Sequence, residues 1–348
     1  SLGFCEPGWV AAVQAQAAAV QHVSNLFYSE PCARAAEKLI RLTGLKNVFF
    51  SNSGAEANEG AIKAARKYSF LKYGQADGAP NRYRIVTLAG SFHGRTMATI
   101  TATGQDSFHK YFTPFLQGFD YAETNSIASL RETVTDETCA IMVEFVQGEG
   151  GVNELEPDFA AEIAAICQER DILLIADEVQ SGIGRTGKFM AYEHFGVHPD
   201  IVTVAKALGG GLPIGAVIFG EKTDGALGSG DHGSTYGGNP VVSAGADYVL
   251  GKFTERDGAL QGEIAERAAY FRAELMKIPG VGGLSGLGLM IGIDVGEKDA
   301  KTIASACIAR GLLVLTAKTK IRLLPPLIIG KEDIDAGVAI LAEAIRTA

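Results

Sequence analysis

The sequence is short of cysteine and of positive charge. Its 348 residues hold five cysteines, Cys5, Cys32, Cys139, Cys167 and Cys307. Their number is odd and no two stand at CxxC spacing. That argues against a disulfide framework or a zinc site, and it fits a reducing compartment such as the cytoplasm. Lysine and arginine total 31 against 40 acidic residues, for a net charge of −9. A general nucleic-acid or anionic-membrane surface is not expected, although a local basic pocket for a small anion is compatible with this balance. The chain shows no basic start followed by an apolar stretch, so no signal peptide is read. One long apolar window exists, Ile201–Gly220, where Lys206 is the only charge. Three consecutive glycines and Pro213 interrupt it. It reads as two strands around a glycine turn, not as a membrane span.

Apolar residues make up 47% of the chain, enough for a sizeable core and two domains. Strand, glycine-containing turn and helix alternate, which predicts an α/β fold with a mostly parallel sheet. Predicted strands cover Val48–Phe50, Arg84–Leu88 and Cys139–Val146. Helices are expected at Ala55–Tyr68 and at Asp158–Arg170, the latter capped by Asp158. A long helical stretch runs from near Val241 to about Ile278. Strand-like segments follow at Leu289–Val295, Leu312–Leu315 and Ile321–Pro326, then a helix at Glu332–Arg346. The polar clusters fall just after strands, where open α/β sheets bind ligands.

Lys206 stands at the end of one apolar strand, and Asp177 follows another, Ile172–Ala176. A lysine there is costly to bury charged, and a neutral amine in a dry pocket suits Schiff-base chemistry. An ordinary strand-end lysine would instead snorkel to solvent. An acid after an apolar strand is expensive unless paired, and a pyridinium nitrogen would serve as partner. Together the two suggest pyridoxal phosphate. Ser51–Asn58 opens a helix with small residues that can admit a phosphate, or it is simply a capped helix. Phe92 could stack on a flat ring and Arg95 could hold a carboxylate. His93 alone reads as structural. The acids of Glu144–Gly151 are either solvated or gate a basic residue. Ser234 and Thr235 offer hydroxyls in a polar turn, and Arg322 precedes the rigid Pro325-Pro326.

The stretches SNSGAEANE, FHGRT, EFVQGEGG, DEVQSGIGRTG, AKALGGGLPIGA, STYGGNP and RLLPPL occur in the order found in one family. On them the chain resembles the class III (ornithine-type) aminotransferases, pyridoxal-phosphate enzymes of fold type I. HVSNLFYSEP, at His22–Pro31, is most similar to the acetylornithine branch. The resemblance implies a remnant of an N-terminal segment at 1–30, a large cofactor-binding domain at 31–249 and a smaller α+β domain at 250–348. It implies Lys206 as the Schiff-base lysine and proton shuttle, and Asp177 as the partner of the ring nitrogen. Phe92 and Val179 would flank the ring, Gln180 would meet its phenolic oxygen, and Gly54 and Ala55 would bind the phosphate. Thr235 would reach the phosphate of a neighbouring subunit, giving a homodimer with shared active sites. Ser234 would lie beside the substrate and Arg95 would bind its distal carboxylate. Arg322 would bind the α-carboxylate of glutamate, and Glu149 would pair with Arg322 when the donor lacks that group. The implied substrates are N-acetylornithine and 2-oxoglutarate, with succinyl-diaminopimelate often accepted as well. Ornithine, 4-aminobutyrate or another reaction of the same cofactor, such as an aminomutase, are the alternatives; a cofactor-free binding protein is the reading from another class. Family chains begin earlier than Ser1, and Phe145 stands where they usually carry proline.

Overall fold

The computed structural model describes residues 1–74 and 81–348. The helices are α1 Pro7–Ala19, α2 Glu30–Thr43, α3 Gly54–Tyr73, α4 Met97–Ala102, α5 Asp106–His109, α6 Ile127–Thr133, α7 Pro157–Arg170, α8 Pro240–Thr254, α9 Ala259–Leu275, α10 Ala300–Ala309 and α11 Lys331–Thr347. The strands are β1 Asn47–Ser51, β2 Arg84–Leu88, β3 Phe119–Ala122, β4 Thr138–Val143, β5 Val146–Gln147, β6 Asn153–Glu154, β7 Leu173–Asp177, β8 Ile201–Val204, β9 Gly215–Phe219, β10 Gly283–Ser285, β11 Ile291–Asp294, β12 Leu315–Ala317 and β13 Lys320–Leu323.

Seven strands form the main sheet in the order β1-β9-β8-β7-β4-β2-β3. β9 runs antiparallel to both its neighbours, and the other pairings are parallel. β4, β7 and β8 are buried along their whole length. Parallel strands covered on both faces need continuous apolar runs, which is what Ile172–Ala176 supplies. Four antiparallel strands, β10-β11-β13-β12, form a second sheet in the C-terminal part. One apolar core joins residues of both sheets, from Val86 and Leu174 through Ile264 to Ile291 and Leu341.

Several sequence expectations shift. The predicted strand at 139–146 ends at Val143, and Val146–Gln147 pairs instead with Asn153–Glu154. Between them Phe145 is fully buried against Tyr192 and Phe195. Asp158 does not cap α7. Glu156 holds that place and Pro157 begins the helix, where its missing N–H is no loss. The long helix after Val241 breaks at Arg256 and Asp257, both left-handed, separating α8 from α9. The expected strand at 312–315 lies later, at Leu315–Ala317, and the one beginning at Ile321 stops at Leu323, before the prolines. The apolar window 201–220 holds β8 and β9 around a short 3-10 turn. Among the described residues no helix is long and apolar enough to cross a membrane.

Candidate active site

The carboxyl ends of β1, β2, β4, β7 and β8 share one edge of the sheet, because these strands run in the same direction. The loops leaving them enclose a cavity of about 530 Å³. Gly54, Ala55, Phe92, Arg95, Asp177, Val179, Gln180 and Lys206 line it, although they are scattered over some half of the chain. The topology converts distant sequence clusters into neighbours at the site where α/β sheets bind ligands.

Asp177 ends β7 with 3% of its surface exposed. It is already well partnered within the chain. Val179 N donates to Oδ1 at 3.0 Å, Asn58 Nδ2 donates to Oδ2 at 2.7 Å, and His93 Nδ1 lies 2.7 Å from Oδ2. Thr203 Oγ1 donates to Asn58 Oδ1 at 2.7 Å and fixes that amide. Asn58 and His93 are thus site residues that the sequence reading missed. Asn58 sits one helical turn inside α3, and nothing in its spacing from Asp177 signals contact. His93 was read as structural. It is buried behind the carboxylate, and its Nε2 has no hydrogen-bond partner among the described residues.

Lys206 departs from expectation. Its side chain lines the cavity and is exposed in the single chain, not buried. Its backbone is unusual, with φ of +38°, the left-handed region in a residue other than glycine. Such a conformation costs on the order of 1–3 kcal/mol and persists only where surrounding structure imposes it. Here β8 ends, Gly210 takes φ of +62° and the chain turns back into β9.

At the opposite wall α3 begins. Ser53 Oγ caps it by accepting from Glu56 N at 3.2 Å, while the first-turn N–H groups of Gly54 and Ala55 stand at the positive end of the helix. A Cβ on Gly54 would lie 2.6 Å from Val179 Cγ1, so only glycine allows this close approach. Glu144 joins two further loops. Its Oε2 accepts from Phe92 N at 2.9 Å and its Oε1 from Gly148 N at 3.2 Å. Burial pushes its carboxyl up to about 7, against the pull of nearby His93 and the two N–H donors.

Arg322 on β13 is 8% exposed and donates to Glu149 Oε1 at 2.6 Å, with Gln180 Oε1 3.4 Å away. Arg95 is exposed, with its guanidinium 5.6 Å from the Phe92 ring centre and 4.4 Å from that of Phe108. Ser234 and Thr235 do not line this cavity. They border a separate hollow with His22, Phe49 and His232, where Ser234 Oγ accepts from Asn52 Nδ2 at 3.0 Å.

The Aminotransferase class-III family model matches residues 1–345. The acetylornithine aminotransferase of Haemophilus ducreyi is 48% identical over 99% of this chain and 86% of its own length. Among solved structures, the ornithine aminotransferase of Toxoplasma gondii superposes with a TM-score of 0.91 at 29% identity, over 99% of this chain and 83% of that one. The N-acetylornithine aminotransferase of Stenotrophomonas maltophilia gives 0.83 at 33% identity, over 98% and 86%. This chain therefore belongs to the class III aminotransferases, enzymes that depend on pyridoxal phosphate.

Proposed function

We propose that the protein transfers the terminal amino group of N-acetylornithine to 2-oxoglutarate, giving N-acetylglutamate semialdehyde and glutamate, and that it works as a homodimer. The observation that carries this reading is the unequal state of the two arginines. Arg322 is closed by Glu149, whereas Arg95 pairs with no carboxylate among the described residues. A donor with one carboxylate needs Arg95 alone. A dicarboxylic 2-oxo acid engages both, once Glu149 moves aside. The names of the relatives, acetylornithine and ornithine aminotransferases, support a terminal amine as the reacting group.

The cavity fits pyridoxal phosphate. It offers helix N–H groups beside a glycine that admits no side chain, a buried carboxylate, and a lysine free to reach inward. When bound, that cofactor supplies a conjugated ring that takes up electrons as the C–H bond beside the amine breaks. Gly54 and Ala55 N–H would hold its phosphate. Asp177, held in place by Val179 N, Asn58 Nδ2 and the His93 ring, would hold a proton on the ring nitrogen. Phe92 and Val179 would flank the ring and Gln180 would face its phenolic oxygen. Lys206 Nζ would take the proton from the amine-bearing carbon and return it, a general acid–base role. Ser234 and Thr235 stand outside the cavity of a single chain, which is consistent with Thr235 serving the phosphate of a second copy.

The test is the visible spectrum of the purified holoprotein. N-acetylornithine should bleach the cofactor band and 2-oxoglutarate should restore it; Lys206→Ala should show neither change. A cofactor-bearing protein that ignores N-acetylornithine refutes the donor assignment.

A further inference from the structure

The reading of Asp177 to Gln180 leaves the rest of that loop, Ser181–Gly187, without a role. Within it Arg185 is 7% exposed, and no carboxylate pairs with it among the described residues. A buried guanidinium without a counter-ion is expensive to keep. Burial alone pulls this one down to about 10. Its hydrogen bonds go to main-chain carbonyls. Nη1 donates to Leu289 O at 3.3 Å and to Pro325 O at 2.5 Å, and Leu289 N donates back to Arg185 O at 3.0 Å.

Those two carbonyls lie together at one end of the strand pair that includes Arg322. Leu289 leads into β11 and Pro325 follows β13, and Gly292 of β11 is registered opposite Arg322 of β13. The adjoining backbone is in close contact too. A Cβ on Gly288 would lie 2.3 Å from the Thr186 carbonyl carbon.

We propose that Arg185 is a positioning residue for Arg322. It fastens the loop that begins at Asp177 to the end of the β11–β13 ladder where β11 starts and β13 stops, one residue from Arg322, and so fixes where Arg322 meets the carboxylate of a 2-oxo acid. A planar guanidinium can donate to two carbonyls in fixed directions, which explains arginine here. The inference rests on the assignment of Arg322 given above.

The experiment compares the two half-reactions in Arg185→Met, Arg185→Lys and Arg322→Ala. Donor turnover does not use Arg322 and acceptor turnover does. Arg185→Met should raise KM for 2-oxoglutarate by about tenfold or more, as expected for a misplaced binding group, while single-turnover bleaching by N-acetylornithine stays within about twofold. Arg185→Lys, which keeps the charge and is the fallback if the methionine variant does not fold, should fall between. Calorimetric binding of 2-oxoglutarate to the Lys206→Ala protein should weaken in parallel when either Arg185 substitution is added. If Arg322→Ala raises that KM but neither Arg185 variant does, or if both half-reactions slow equally, the inference is overturned. If Arg322→Ala itself has no effect, the Arg322 assignment falls and this inference with it.

Discussion

Replacing Gly54 by alanine separates folding from cofactor capture. Gly54 is the first residue of α3, and its φ is not in the left-handed region, so alanine meets no backbone strain there. Alanine is a better helix former by up to about 1 kcal/mol. That gain offsets part of the crowding the methyl brings to the cofactor-free chain. The added methyl, however, would sit 2.6 Å from Val179 Cγ1 and 3.0 Å from Cγ2. Valine is stiff about χ1, so relief must come from moving Val179 or the start of α3. Overpacking of this kind costs typically about 1–3 kcal/mol; where Val179 shifts off the ring face to relieve it, a loss of that size corresponds to a cofactor affinity roughly five to 150 times weaker. Titration of the cofactor-free protein, followed by absorbance, reads the affinity, and thermal melting reads the fold. Gly54→Ala combined with Val179→Ala removes both clashing methyls and should bind the cofactor about as well as Val179→Ala alone. Wild-type affinity in the single variant would show that the wall yields easily, and would refute the argument from close approach.

Glu149→Gln weakens the ion pair that closes Arg322 and should lower KM for 2-oxoglutarate severalfold while raising it for N-acetylornithine; steady-state kinetics with each substrate varied will show this split or its absence. Glu178 is buried, and burial raises its carboxyl to about 7 although Ser181 Oγ and Tyr192 N both donate to it. Between its unfolded value near 4.5 and about 7 the folded chain binds the extra proton, so its contribution to stability falls as pH rises through that window. The upper bound is roughly 3 kcal/mol. His194, lowered by burial, acts in the opposite sense. Denaturant melts of the cofactor-free protein from pH 5 to 8 should therefore show a smaller loss in Glu178→Gln than in wild type, and equal losses would refute the assignment.

The parts of the site legible in the sequence were those whose signal is local. Asp177 and Lys206 each follow an uninterrupted apolar strand, and Gly54 opens a capped helix, so each could be placed on the carboxyl edge of a sheet. The props behind them were not legible. Asn58 and His93 reach Asp177, and Thr203 reaches Asn58, only because α3, β8 and the loop after β2 pack around β7, and contact between elements leaves no trace in periodicity. Burial of Lys206 was inferred from its apolar neighbours, but those residues belong to β8 while the lysine belongs to the turn beyond it. Local reading also failed where one residue type suits two positions: Asp158 is a good cap, yet Pro157 had already taken the first helical place.

Among the described residues β9 is the one strand of the main sheet that runs against the rest, and this carries a consequence for synthesis. β1, which leads into α3, reaches the main sheet only through β9: Asn47 is registered with Phe219 and Ser51 with Gly215, far downstream. A nascent chain that has not yet emerged through Phe219 can pair β2, β3, β4, β7 and β8, but β1 has no strand to pair with. The phosphate-binding corner therefore comes together late, from contacts of high sequence separation. Fragments ending before β9 should be unable to retain the cofactor, however much of the central sheet they form.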